Sequence, residues 1–143
     1  MESAEATSLP HMLRILIIED NHPLLEEIIT VFDLEGFTVE TAENGRVGFE
    51  RLQQMAELPD IVICDLWMPN GDGYELLQAV RGHPATVSLP VIVLTAHDDE
   101  EAQTKAKELG ADDYVTKPFK IAELLQAVEG VLKRRPALAR RLP

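Results

Sequence analysis

Residues 60–73 read DIVICDLWMPNGDG, and four consecutive apolar residues, Ile61 to Cys64, run straight into the carboxylate of Asp65. A short apolar run bounded by turn residues is the pattern of a strand covered on both faces, which parallel sheets produce. A charge at the edge of such a strand is costly unless a cation, a metal or a chemical role offsets it. Beyond it Pro69, Gly71 and Gly73 shape a loop. The spacing then predicts a helix over 74–81, closed by Gly82 and Pro84.

The same unit recurs along the chain. Residues 14–18 (RILII) form an apolar run that stops at Glu19-Asp20-Asn21, and Pro23 opens a helix whose Leu24, Leu25, Ile28, Ile29 and Phe32 recur at helical spacing until Gly36. Residues 37–42 alternate in a β-prone pattern, so they read as a strand exposed on one side, near a sheet edge. Val47, Phe49, Leu52 and Met55 give the second helix. Pro90 opens a fourth strand over 91–94, a polar helix covers 100–109 with Gly110 as its stop, a short strand covers 113–116, and a last helix covers 121–134. Five strand–helix units in strict alternation imply a parallel sheet with helices on both faces, because each crossover returns right-handed over the sheet. The fully apolar strands around Ile15, Ile61 and Val91 belong at its centre.

Composition narrows the function classes. A chain of 143 residues with 45% hydrophobic content supports one domain with a real core. The formal charge of -12 disfavours nonspecific binding to nucleic acid or anionic membrane. Five bases and no acid fall in 133–143, leaving -17 on the remainder. The single cysteine, Cys64, excludes an internal disulfide and reads as a small core residue. The first residues, MESAEATSLPH, have no apolar signal region and no later segment is long enough to span a bilayer, so a cytoplasmic protein is expected.

In a sheet of this kind the working crevice lies beyond the carboxyl ends of the strands, where strand order reverses. Glu19, Asp20, Asp65, Thr95 and Lys117 all follow strands and so meet on one rim. Three carboxylates in one crevice repel each other, and a divalent ion is their natural neutraliser. Oxygen-only ligands favour Mg²⁺ or Mn²⁺ over zinc, and Mg²⁺ tends to keep an open side for a phosphate oxygen. A carboxylate can attack phosphorus to give an acyl phosphate, with an ammonium (Lys117) and a hydroxyl (Thr95) steadying the transferring group. Taken singly, each of these residues has a plainer reading: a loop acid, a helix cap, a surface ammonium.

With Glu19-Asp20, the loop from Asp65 through Met68-Pro69 to Asp72-Gly73, Thr95-Ala96 and Lys117-Pro118-Phe119 in this order, the chain resembles a response-regulator receiver domain of two-component signalling, over nearly its whole length. The resemblance implies a flavodoxin-like, doubly wound fold with a five-stranded parallel sheet in the order 2-1-3-4-5. It implies that Asp65 accepts a phosphoryl group from a histidine kinase or histidine phosphotransfer protein. Asp20 and Asp65 would ligate Mg²⁺ (Mn²⁺ is an alternative), Glu19 would hold a metal-bound water, and the Trp67 carbonyl would add a ligand. The Lys117-Pro118 peptide would be cis. Thr95 and Tyr114 would form a switch pair, and Trp67 and His97 would flank the phosphoryl group and slow its hydrolysis. Glu19 stands where the family often has Asp, a common exchange.

The resemblance further implies a phosphoacceptor signalling domain rather than a turnover enzyme, one that takes part in its own phosphorylation and autodephosphorylation. Its output would be a homodimer or partner site on the face made by the helix over 100–109, the strand over 113–116 and the helix over 121–134. A haloacid-dehalogenase-like phosphotransferase would need a second Asp where Trp67 stands. A flavin carrier would need a hydroxyl- and glycine-rich phosphate loop in place of Glu19-Asp20-Asn21. A degenerate receiver acting only as an interaction module would be expected to lack the acceptor Asp or the Lys. The receiver is placed at 13–135, after an extension at 1–12 and before a tail or linker start at 136–143, with no helix-turn-helix and no direct nucleic-acid contact. His11, His22 and His83 show no ligand spacing.

Overall fold

The computed structural model describes residues 13–68, 73–96 and 99–134; the extension at 1–12, loop residues 69–72, His97 and Asp98, and the tail from 135 onward lie outside the described residues. Strands β1 (Arg14–Ile18), β2 (Thr38–Ala42), β3 (Ile61–Asp65), β4 (Val91–Ala96) and β5 (Asp113–Lys117) alternate with helices α1 (His22–Leu34), α2 (Gly45–Gln54), α3 (Gly73–Gly82), α4 (Glu100–Glu108) and α5 (Ile121–Lys133). All strands pair in parallel in the order β2-β1-β3-β4-β5. The central strands are the three with continuous apolar runs, and the alternating segment is the β2 edge.

The period of two along each strand sorts the core into two layers. Leu16, Ile18, Val62, Cys64, Val91 and Val93 pack on one face with Leu52 of α2, Leu76, Leu77 and Val80 of α3, and Ala102 and Ala106 of α4. Ile15, Ile17, Ile61, Ile63, Ile92 and Leu94 pack on the other with Leu25, Ile28 and Phe32 of α1 and Leu124, Val128, Val131 and Leu132 of α5. Burial of this many branched side chains, at roughly 1.5–3 kcal/mol each, is the main drive for the fold.

Local chemistry sets the helix ends. Asn21 precedes α1 and its side chain accepts from the Leu24 N–H at 3.1 Å, with Pro23 in the first turn. Asn44 and Asp99 cap α2 and α4 in the same way, accepting from Val47 and Ala102 at 2.9 and 3.0 Å. Gly36 ends α1 at φ 96°, where Phe37 turns back onto Phe32 with ring centroids 5.2 Å apart.

At the amino ends of the strands two aspartates act alike. Asp60 accepts from the Arg14 N–H and Asp112 from the Val91 N–H, each at 2.8 Å. Arg81, at the end of α3, adds bonds to the carbonyls of Val87, Leu89 and Gly110 and an ion pair to Asp112 at 2.9 Å. This closed end leaves the carboxyl ends of the strands free to carry the site.

Candidate functional site

The order in which strands are added to the sheet reverses between β1 and β3, and the cleft above them is lined by Glu19, Asp20, Asp65, Trp67, Thr95 and Lys117, with Asn21 and Phe119 beside them. Asp65, Thr95 and Lys117 are not loop residues, as the sequence pattern implies, but close their strands in register. Asp65 pairs with Leu94, Thr95 with Thr116 and Ala96 with Lys117. Ladder bonds therefore fix their backbones rigidly.

Ligand-capable oxygens of Glu19, Asp20 and Asp65 lie within 4.8 Å of one another; Glu19 and Asp65 are buried and Asp20 is exposed. Lys117 Nζ stands 3.0 Å from both Glu19 Oε1 and Asp65 Oδ2. The second Asp65 oxygen accepts from the Trp67 N–H at 3.1 Å, and Glu19 Oε2 accepts from the Asn21 N–H at 3.1 Å. The Lys117-Pro118 peptide is cis. Gly73 starts α3 directly behind the acceptor strand: a Cβ there would stand 2.6 Å from the Asp65 carbonyl oxygen and 2.9 Å from Leu66 Cα.

The electrostatics are those of a crowded anionic site. Burial pushes the Glu19 carboxyl up to about 7, and the Asp65 charge adds to this, against the opposing pull of Lys117 and the Asn21 N–H. For Lys117, burial works to lower the pKa, but its close contacts with the Glu19 and Asp65 carboxylates outweigh it and raise the value above the ordinary 10.5. One ammonium is thus shared by two buried carboxylates.

The residues fit a hard divalent cation. Glu19 Oε1 is buried and, among the described residues, meets Lys117 Nζ at 3.0 Å as an ion pair and has no hydrogen-bond partner. An orphaned carboxylate oxygen beside two further carboxylates is the donor chemistry that Mg²⁺ takes, and among the described residues the cluster holds carboxylates alone.

The Thr95 side chain is almost fully buried, and its hydroxyl donates to the Ala96 carbonyl at 2.9 Å, so it is tied to its own strand end. Tyr114 is half-buried on β5 with Lys107 Nζ 5.1 Å from its ring centroid. Trp67 lines the cleft at 55% exposure, and His97 lies outside the described residues. Asn21, which both caps α1 and holds Glu19, is the residue that sequence reasoning passed over; an Asn two positions before Pro23 is the signal that marks it.

Comparison with known proteins agrees with this geometry. The family model described as response regulator receiver domain matches residues 15–129. The chain is 38% identical over 128 residues to the virulence transcriptional regulatory protein PhoP of Salmonella typhimurium, covering 90% of this chain and 55% of that protein. It is 34% identical over 121 residues to the phosphate regulon transcriptional regulatory protein PhoB of Escherichia coli, covering 85% and 52%. The chain therefore spans about half the length of these curated relatives. Among solved structures, the chemotaxis response regulator CheY4 of Vibrio cholerae superposes with a TM-score of 0.78 at 29% identity, covering 85% of this chain and 99% of that one. A response regulator receiver domain protein from Clostridium thermocellum gives 0.79 at 28%, covering 88% and 98%.

Proposed function

This chain belongs to the response regulator receiver family of two-component signalling, and on that premise we propose that Asp65 accepts a phosphoryl group from the phosphohistidine of a sensor kinase or histidine phosphotransfer protein. The observation that carries the reading is the placement of one buried carboxylate, Asp65, against both an ammonium at 3.0 Å and two further acidic side chains. Lys117 pairs with two of these acids, Glu19 and Asp65, while the third, Asp20, stands exposed beside them.

In the transfer an Asp65 oxygen bonds to phosphorus as the phosphorus–nitrogen bond of the donor breaks, and the imidazole leaves with the electron pair and takes a proton from solvent. The Trp67 N–H holds the other oxygen in place. Lys117 follows the incoming negative charge, and Thr95 rotates its hydroxyl from the Ala96 carbonyl toward a phosphoryl oxygen. Bound Mg²⁺, or Mn²⁺ in its place, would sit among Glu19, Asp20, Asp65 and the Trp67 carbonyl and neutralise charge on the phosphoryl oxygens. The domain is consumed stoichiometrically and regenerated by hydrolysis, so it is a phosphoacceptor and not a turnover enzyme.

The output face in this reading is α4, β5 and α5. Two features support it: every residue of the edge strand β5 is only half-buried, and α4 buries just two small residues, Ala102 and Ala106. Movement of Thr95 frees space for the Tyr114 ring, and the altered face meets a partner or a second copy.

The test is incubation with Mg²⁺ and acetyl phosphate followed by intact mass measurement. One added phosphoryl group is expected, lost on adding EDTA beforehand and absent in Asp65→Asn. An adduct that survives Asp65→Asn refutes the assignment.

A further inference from the structure

We propose that Trp67, Tyr74 and Lys105 form a cation–aromatic–aromatic stack that holds the Trp67 indole at the mouth of the acceptor cleft and ties the lifetime of the Asp65 acyl phosphate to the position of α4, an inference that rests on the receiver reading above. Tyr74 and Lys105 are positioning residues in it, acting through Trp67.

Trp67 is a large apolar side chain left 55% exposed beside a polar site, and its backbone N–H is bonded to the acceptor carboxylate itself. An exposed indole has many rotamers open to it unless something holds the ring. Tyr74, at the start of α3, meets it edge-on, with centroids 6.0 Å apart and planes at 89°, the favoured arrangement for the ring quadrupoles. The Tyr74 ring also carries Lys105 Nζ at 4.4 Å from its centroid. Lys105 belongs to α4, so the stack spans from the acceptor loop to a third element.

That third element is weakly held. α4 buries only Ala102 and Ala106, and Lys105 itself is exposed. A shift of α4 therefore moves Lys105 off Tyr74 at little cost to the core and loosens the tyrosine's hold on Trp67. Hydrolysis of the acyl phosphate needs a water to bond to phosphorus as the bond to the Asp65 oxygen breaks, releasing inorganic phosphate and the free carboxylate. A fixed indole at the cleft mouth limits that approach, and a loosened one admits it. Whatever holds α4 in the stacked position therefore lengthens the phosphorylated lifetime.

The experiment phosphorylates the chain with acetyl phosphate and Mg²⁺, removes the donor and follows loss of the adduct by intact mass. Lys105→Gln is a surface change that leaves the core intact, and it should shorten the lifetime by about two- to five-fold, the scale of one cation–π contact. Trp67→Ala should shorten it at least as much, while Lys105→Arg and Tyr74→Phe, which keep cation and ring, should restore wild-type behaviour. Adding Lys105→Gln to Trp67→Ala should change nothing further. Because Trp67 is the only tryptophan, acrylamide quenching of its fluorescence should rise in unphosphorylated Lys105→Gln. Equal lifetimes in Lys105→Gln and wild type, unchanged quenching, or the same fold-effect of Lys105→Gln with Trp67 removed would each overturn the stack and leave the receiver reading standing. Failure of the wild-type chain to form any adduct would overturn the receiver reading and the gate with it.

Discussion

Removing water from around Glu19 pushes its carboxyl up to about 7 from 4.5, and Asp65 beside it adds to the effect. A carboxyl whose folded pKa lies above its unfolded value binds its proton more tightly in the folded chain. Through this group, metal-free protein holds its full stability below about 4.5 and loses it as pH rises through about 7, by on the order of 3 kcal/mol at most. Glu19→Gln has no proton to lose. In EDTA, the stability of wild type relative to Glu19→Gln should fall between about pH 5 and about pH 8, read as the difference in urea midpoint. Mg²⁺ should reverse that fall at the upper pH and do little at the lower one, because protonated Glu19 is a poor ligand. Parallel pH profiles for the two proteins would remove Glu19 from the metal site. The convergence of Glu19, Asp20, Asp65, Thr95 and Lys117 was legible from sequence, since parallel strands deliver their last residues to one rim. The sharing of Lys117 between Glu19 and Asp65 was not, because it depends on side-chain distances of 3.0 Å that no spacing encodes.

The same contrast holds for the elements. The central strands and the β2 edge were readable because apolar continuity and alternation report burial on two faces or one. Strand ends were misplaced by one or two residues: β4 runs to Ala96 and β5 to Lys117, because ladder pairing continues through polar residues that hydropathy treats as loop. The role of Gly73 could be seen only as loop shaping, whereas the structure gives it a steric one. Two buried glycines separate the possibilities. At Gly48 an added Cβ would press on the Ile18 side chain, whose end can rotate away, while at Gly73 it would press on the backbone of Asp65 and Leu66, which the β3 ladder holds. Gly73→Ala should therefore destabilise by about 2–3 kcal/mol and slow phosphorylation of Asp65, whereas Gly48→Ala should cost about 1 kcal/mol and leave phosphorylation near wild type. Thermal melts paired with adduct formation check both arms; equal losses in both variants would mean that the α3 start does not brace the acceptor.

At the scale of the molecule, charge sets the terms on which two copies can meet. The chain carries a formal -12, and exchange of the Asp65 monoanion for an acyl phosphate of about two negative charges makes the body more acidic still. Association through α4, β5 and α5 must then overcome repulsion between two like-charged bodies. Repulsion of this kind acts over about 30 Å at 0.01 M salt but only about 10 Å at 0.1 M. Apolar and hydrogen-bonded contacts at the interface are screened far less. Self-association of the phosphorylated chain should therefore strengthen as salt is raised from about 0.01 to 0.15 M, and the unphosphorylated chain should stay monomeric across the range, as read by sedimentation velocity with Mg²⁺ present. The opposite slope, with dimers dissolving as salt rises, would assign the interface instead to ion pairs between the acids and lysines of α4 and their counterparts on the second copy, and Lys107, poised over Tyr114 at 5.1 Å, would then be the first of them to replace.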